Sequence, residues 1–345
     1  MVRQVVLVSA ILAATLARAA SFDPVFTVPL GGDESDCRPL AIDGDTLVIG
    51  DGYSTVATLY DVRTGARRAT ATCPTPLPDD DEYCGCLVAV SRRIVALARG
   101  RGVDVFDRDG SFARRIDIEG LVGGIAVRGR RLLIGARRGS RPTLEAVAYL
   151  ADAETGRVVR TFAVAAADVD TVRVALAGTS AVLAVVGAHA PGEVVAFDAR
   201  TGRVRWRRMS PAPAPGDGFG AGLVAFGSDV VVAPGAYRLK GRTGMVRQTY
   251  RDPMDPPRPR FGRMLAASGN TVAIGDTEFP GPEGFGGAVH LYDARSGILL
   301  ESVRHPPPSS DDFFPDAIAI DGPLVAMSTD TYTGSGLLWG LRRQP

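Results

Sequence analysis

Along most of the chain, apolar and polar positions alternate over short runs separated by Gly, Asn, Asp and Pro, which is the period of half-buried β-strands. The stretch from Phe261 to Val303 shows the pattern most plainly. Met264 to Ala267 reads as a short first strand, and Ser268-Gly269-Asn270 as a tight turn whose Gly and Asn tolerate positive φ. Thr271 to Ile274 is the second strand, rich in β-branched residues that suit a pleated surface. A glycine-rich loop over Gly275 to Gly287 leads to a third strand, Ala288 to Tyr292. Asp293-Ala294-Arg295-Ser296-Gly297 then closes a second hairpin: its Asp can accept from the backbone two residues on, and its Gly suits the left-handed position of a bulged turn. Ile298 to Val303 completes a unit of four strands.

The unit repeats. Its first turn recurs at Asp43-Gly44, Arg92-Arg93, Arg128-Gly129, Ala177-Gly178, Phe226-Gly227, Ser268-Gly269 and Asp321-Gly322, at intervals of about forty to fifty residues, the range of propeller blades. Its second turn recurs after Asp61, Asp107, Asp152, Asp198, Lys240 and Asp293, and ends on Gly65, Gly110, Gly156, Gly202, Gly244 and Gly297. Seven first turns therefore face six second turns. The last unit has strands at Ala317 to Ile320, Leu324 to Met327 and Gly336 to Leu341, and then lacks a fourth. Val25 to Pro29 precedes the first unit as an orphan strand. Pairing the two predicts an all-β, seven-bladed β-propeller of four-stranded blades, closed by an N-terminal strand that completes the last blade. A linear solenoid would instead want polar caps at both ends.

The spelling of blade six, with Phe261-Gly262 before the first strand and Val272-Ala273-Ile274-Gly275 in the second, resembles the FG-GAP repeat of integrin α-chains and many secreted proteins. Blade five, from Gly218-Phe219-Gly220 to Pro234-Gly235, is similar to the same repeat; elsewhere the likeness fades to pattern and turns. Ala196 to Trp206 looks like the tryptophan-docking motif of quinoprotein propellers. It occurs in full once, which fits blade packing better than a quinone site.

Composition adds an address. Met1 to Ala19 has Arg3 at its start, an apolar core from Val5 to Leu16 and Ala17-Arg18-Ala19 as a cleavage site, the layout of an export signal. Its apolar core is too short to span a bilayer, and no other stretch is long enough. The expected arrangement is a signal peptide over 1–19, a single propeller domain over 20–345, and a secreted product. Of 39 basic residues all but Lys240 are arginine, and the formal net charge is only +1, so no overall basic field points to nucleic acid.

Cys37, Cys73, Cys84 and Cys86 cluster early in the chain, and an even number in an exported protein favours disulfides over a four-thiolate zinc site. Cys84 and Cys86 are too close in sequence to bond each other well, so each is expected to reach back to Cys73 or Cys37. Which of Cys84 and Cys86 takes which partner is left open by the sequence, with Cys73–Cys84 and Cys37–Cys86 the favoured set.

In a propeller the inter-blade loops share one face with the loops between second and third strands, around the mouth of the central channel. Several of those loops are acidic here: Asp33 to Asp36, Asp79-Asp80-Asp81-Glu82, Asp168 with Asp170, Asp217, and Asp311-Asp312. Tyr83, Phe219 and Phe313 follow three of them, and the long blade-six loop adds Glu278, Phe279, Glu283 and Phe285. These acids and aromatics are the candidate contact residues for a protein or glycan partner. Arginines gather beside turns of the opposite face, at Arg67-Arg68, Arg92-Arg93, Arg130-Arg131 and Arg203, so the two faces should differ in charge.

The calcium loop D-x-[DN]-x-[DN]-G of integrin-type blades is missing, and Asp276-Thr277-Glu278 stands in its place without the third acid and the glycine. Asp79, Asp80, Asp81 and Glu82 are the remaining acids able to chelate a hard cation. His189, His290 and His305 show no metal-ligand spacing. No nucleophile elbow or phosphate-binding loop appears. The expectation is a secreted binding or adhesion module without catalytic residues or cofactor; the rival is an exported propeller enzyme, a quinoprotein-like oxidoreductase or lyase with its site at the channel mouth.

Overall fold

The computed structural model describes residues 22–30, 38–50, 55–74, 87–140, 143–166, 168–211, 217–254, 261–281, 284–304, 312–331 and 336–343. Seven antiparallel four-stranded sheets account for nearly all of the strands. Blade one runs from Leu40 to Thr72, blade two from Leu87 to Asp117 and blade three from Leu121 to Ala165. Blade four covers Thr171 to Met209, blade five Gly222 to Thr249 and blade six Met264 to Arg304. Blade seven is Asp312–Asp321, Leu324–Thr331 and Gly336–Arg343, with Phe22–Leu30 as its fourth strand. The first strand of each blade packs on the first strand of the next, and Leu40–Asp43 meets Asp312–Asp321 to shut the circle. The chain is thus a seven-bladed β-propeller, as the repeat count and the orphan strand predict.

Closure is carried by an antiparallel register in which Phe26 faces Gly340, Val28 faces Leu338 and Leu30 faces Gly336. Phe26 and Leu30 are buried in one cluster with Leu47, Tyr60 and Val62 of blade one and with Leu324, Ala326 and Leu338 of blade seven. This seam has the same apolar filling as the seams between other blades.

Turn chemistry explains the regularity. Gly44, Gly129, Gly178, Gly227, Gly269 and Gly322, at the first turns, all adopt φ between 57 and 64°. Blade two, which has no glycine there, turns instead on Ser91, whose Oγ accepts from the N–H groups of Arg93 and Ile94. At the second turns one carboxylate oxygen of Asp61, Asp152, Asp198 or Asp293 accepts two backbone N–H bonds from residues two and three positions on. Each such turn is followed by a register shift, as between Ala196 and Phe197, which is the expected bulge.

The Phe-Gly pairs also have a physical reason. Phe219 and Phe261 are buried, at 2% and 3% exposure, in the seams that blade five and blade six make with their neighbours. Gly220 and Gly262 have φ of 98 and 90°, and an added Cβ would sit 2.7 Å from Ala184 Cβ and 2.8 Å from Ala233 Cβ. Only glycine fits such a position. Trp206 packs its ring on Gly244 of the next blade and donates Nε1–H to Gly241 O at 3.0 Å, so the docking motif joins blades four and five.

Candidate ligand site at the channel mouth

The first strands begin, and the second strands end, on the side of the inter-blade loops. There the ring encloses a cavity of about 600 Å³. Its walls include an aliphatic residue from the inner strand of every blade: Leu40, Leu87, Val122, Val172, Leu223, Leu265 and Ile318. Each inner strand thus contributes an aliphatic residue to the lining, and the ring is too wide for these to fill it.

Charged side chains stand around this apolar wall. Among the described residues, Arg38, Arg99, Arg137, Arg173 and Arg263 line the cavity together with Asp170 and Asp316. Arg38 precedes the inner strand of blade one, Arg99 ends the second strand of blade two, Arg137 is the last residue but one of that of blade three, Arg173 lies in the inner strand of blade four, and Arg263 precedes that of blade six. Arg173 Nη1 donates to Gly123 O at 2.5 Å and Arg137 Nη1 to Val169 O at 3.4 Å, so two guanidiniums are tied across the seam of blades three and four. Asp316 accepts the backbone N–H of Arg38 at 3.1 Å, and Asp170 accepts from the hydroxyl of Thr171. Arg263 is exposed and makes no ion pair or hydrogen bond among the described residues.

Several acids named from sequence hold loops in place. Asp217 Oδ1 accepts from the N–H groups of Gly192 and Phe219, tying the blade-four loop to the next connection. Asp168 Oδ2 accepts from His189 N at 2.6 Å and Ala190 N at 3.1 Å. Loop N–H donors already engage both carboxylates.

Two candidate contact aromatics are corrected. Phe219 is core, and Phe279, at 7% exposure, packs edge-on against His290 with the Arg304 guanidinium 4.9 Å from its ring centre. Neither ring is free to meet a partner. Glu278 is half-buried, and its N–H donates to Asp276 Oδ1. The long blade-six loop folds back on itself as a short hairpin of Pro280–Gly281 with Gly284–Phe285. In blade seven the backbone of Asp312 and Phe313 belongs to the inner strand, while the ring buried against Trp339 is that of Phe314. Tyr83, Glu283, Asp311, the run from Asp79 to Glu82, and Cys37, Cys84 and Cys86 lie outside the described residues. Cys73 is buried in the seam between blades one and two.

Two further features escaped sequence reasoning. On the opposite face, Arg108 donates to Ser91 O at 2.7 Å and to Asp45 Oδ1 at 2.7 Å, and Arg68 pairs with Asp45 and Asp61. That face is a mixed salt-bridge network clasping blades one and two, with Arg92 at its edge. Inside blade six, Asp276 and His290 are fully buried, with His290 Nε2 3.6 Å from Asp276 Oδ2 and Nδ1 2.8 Å from Ser302 Oγ. None of these three lines the cavity. Among the described residues, no three His, Cys, Asp or Glu side chains gather as a metal set would.

The class these features define is a seven-bladed propeller with an apolar-walled cavity at its channel mouth. No family model matches the chain, and no curated protein matches it either. No helix of the described residues is long and apolar enough to cross a membrane.

Proposed function

We propose that the chain is a secreted, non-enzymatic binding module of FG-GAP-like type, recognising a protein or glycan through the face that carries the inter-blade loops. The observation that carries this reading is the cavity of about 600 Å³ at the centre of that face, a volume within the range of ligand pockets. The FG-GAP affiliation is supported by the equivalent roles of Phe219-Gly220 and Phe261-Gly262, each an interblade plug followed by a glycine that no side chain could replace. Export is supported by the sequence of Met1 to Ala19.

The test is capture of a partner by the purified chain from its native extracellular setting, followed by hydrogen-exchange footprinting of the complex. Protection is expected at the starts of the inner strands, around 38–40, 221–223 and 263–265. Protection confined to the turns at Gly44, Gly129, Gly227 and Gly269 would overturn the assignment of the face.

A further inference from the structure

We infer that the far face over blades four to six docks on an anionic membrane surface, its turn cations meeting lipid phosphates and the aliphatic side chains beside them entering the headgroup layer. The inference goes beyond the binding reading and concerns the opposite side of the ring. Three observations lead to it. First, the second turns of these blades form a row: the Trp206 ring of blade four packs on Gly244 of blade five, and Arg238 of blade five donates to Ala294 O of blade six at 2.8 Å. Arg200, Arg203, Lys240, Arg242 and Arg295 are exposed on these turns and make no side-chain hydrogen bond or ion pair among the described residues.

Second, the carboxylates here are few and engaged. Asp198 pairs with Arg205, and buried Asp229 with Arg238 and Arg247. Asp293 accepts the N–H groups of Arg295 and Ser296. Five unmatched cations therefore stand against one carboxylate without a cation of its own. Every turn on this face lies within the described residues. The strand ends at Phe22 and Arg343 also reach it, and the sequence before and after them, 1–21 and 344–345, holds no Asp or Glu. Over blades one to three the same face is balanced instead, with Asp45, Asp61 and Glu154 in ion pairs with Arg68, Arg93 and Arg108.

Third, five of the eight large apolar side chains exposed among the described residues open the outer strands directly after these turns: Val204, Met245, Val246, Ile298 and Leu299. Cations interleaved with exposed aliphatic side chains are the composition of surfaces that sit in a lipid interface. Lipid also receives side chains standing apart on a convex rim without the close shape match that a protein partner requires.

The experiment is co-sedimentation of the purified secreted chain with vesicles of phosphatidylcholine, with or without phosphatidylglycerol, at low and physiological salt. It is repeated with Arg242→Gln/Arg295→Gln, with Met245→Ser/Ile298→Ser, and with two blade-two controls, Arg92→Gln and Phe112→Ser. All of these side chains are exposed, and thermal melting confirms that each variant folds. The chain should bind only the phosphatidylglycerol vesicles, less tightly as salt rises. The charge variant should be weaker by about tenfold or more and the apolar variant by several-fold, with both controls like the parent. Binding to neither vesicle, equal binding to both, or undiminished binding by either double variant would overturn the inference. Equal loss in the controls would place attachment elsewhere on the molecule and overturn it too. Capture by polyglutamate without binding to vesicles would replace the membrane with an acidic protein.

Discussion

Replacing Phe26 by alanine should cost the domain a large part of its stability, because this one ring fills the closing seam. It is 8% exposed and sits on the only strand of blade seven that comes from the other end of the chain. A Cβ added at Gly340 would lie 2.3 Å from its ring, and one added at Gly65 of blade one would lie 2.8 Å from its Cβ. The ring is therefore wedged between the third strand of blade seven and the second turn of blade one. Burial of a side chain of this size contributes about 1.5–3 kcal/mol, and the cavity left behind adds to the loss, so Phe26→Ala should destabilise by about 3–5 kcal/mol. Whole domains are stable by about 5–15 kcal/mol, so the loss is a substantial fraction. Phe112→Ala, at 45% exposure on the outer strand of blade two, should cost about 1 kcal/mol or less. Gly340→Ala forces a methyl against the ring, and overpacking of this kind costs about 1–3 kcal/mol. In the Phe26→Ala background that methyl has room, so the two changes should couple by a similar amount. Guanidinium unfolding of the four chains measures all of this. A Phe26→Ala chain within about 1 kcal/mol of the parent, or a Gly340→Ala cost that ignores residue 26, refutes the wedge.

Acid should loosen the blades: N–H bonds from Arg63, Thr155 and Thr201 hold the carboxyls of Asp61, Asp152 and Asp198 below the usual range. A depressed folded value gives stability that is complete above about pH 4, the unfolded value, and is lost as the pH falls through the folded ones. Equal melting temperatures well above and well below that point would count against it. At the other end, burial pushes the Tyr250 hydroxyl, which donates to Ala294 O, up to about 12, and pushes Tyr292 up as well. The unfolded chain ionises first, so stability present below about pH 10 should fall as the pH rises towards 12, followed by tyrosinate absorbance and melting. Absorbance at the ordinary tyrosine pH from a still-folded chain would contradict it. Gly244→Ala places a Cβ 2.7 Å from the Trp206 ring at a φ of 67°, so it should shift indole fluorescence and lower stability by about 1–3 kcal/mol. An unchanged spectrum and midpoint would show that Trp206 does not dock there.

The fold was legible because each blade repeats local rules that need no distant partner. An Asp followed three or four residues on by a Gly codes for a turn whichever blade contains it, and Asp61, Asp152, Asp198 and Asp293 all cap the turns they begin. Closure was legible by arithmetic, since an unmatched strand at each end leaves one way to satisfy both edges. The aromatics were misjudged because a Phe after an acidic loop reads the same whether it faces solvent or plugs a seam. Only the third dimension shows that Phe219 sits against Ala184 and Val194 of the preceding blade.

The channel arginines were hidden for a different reason. Arg38, Arg99, Arg137, Arg173 and Arg263 belong to five blades and share no motif, so nothing in the sequence singles them out as a group. A ring brings together positions equivalent by repeat but distant in sequence, and the sign of its mouth is a sum over blades. The described acids around the mouth also count for less than their number. Asp217 and Asp168 are engaged by loop N–H groups, and Asp316 accepts the N–H of Arg38. A carboxylate holding backbone donors is a fixed part of the frame, whereas an exposed guanidinium such as Arg263 is available to whatever enters. The sign that a ligand meets at such a mouth depends on which charges the fold has already engaged.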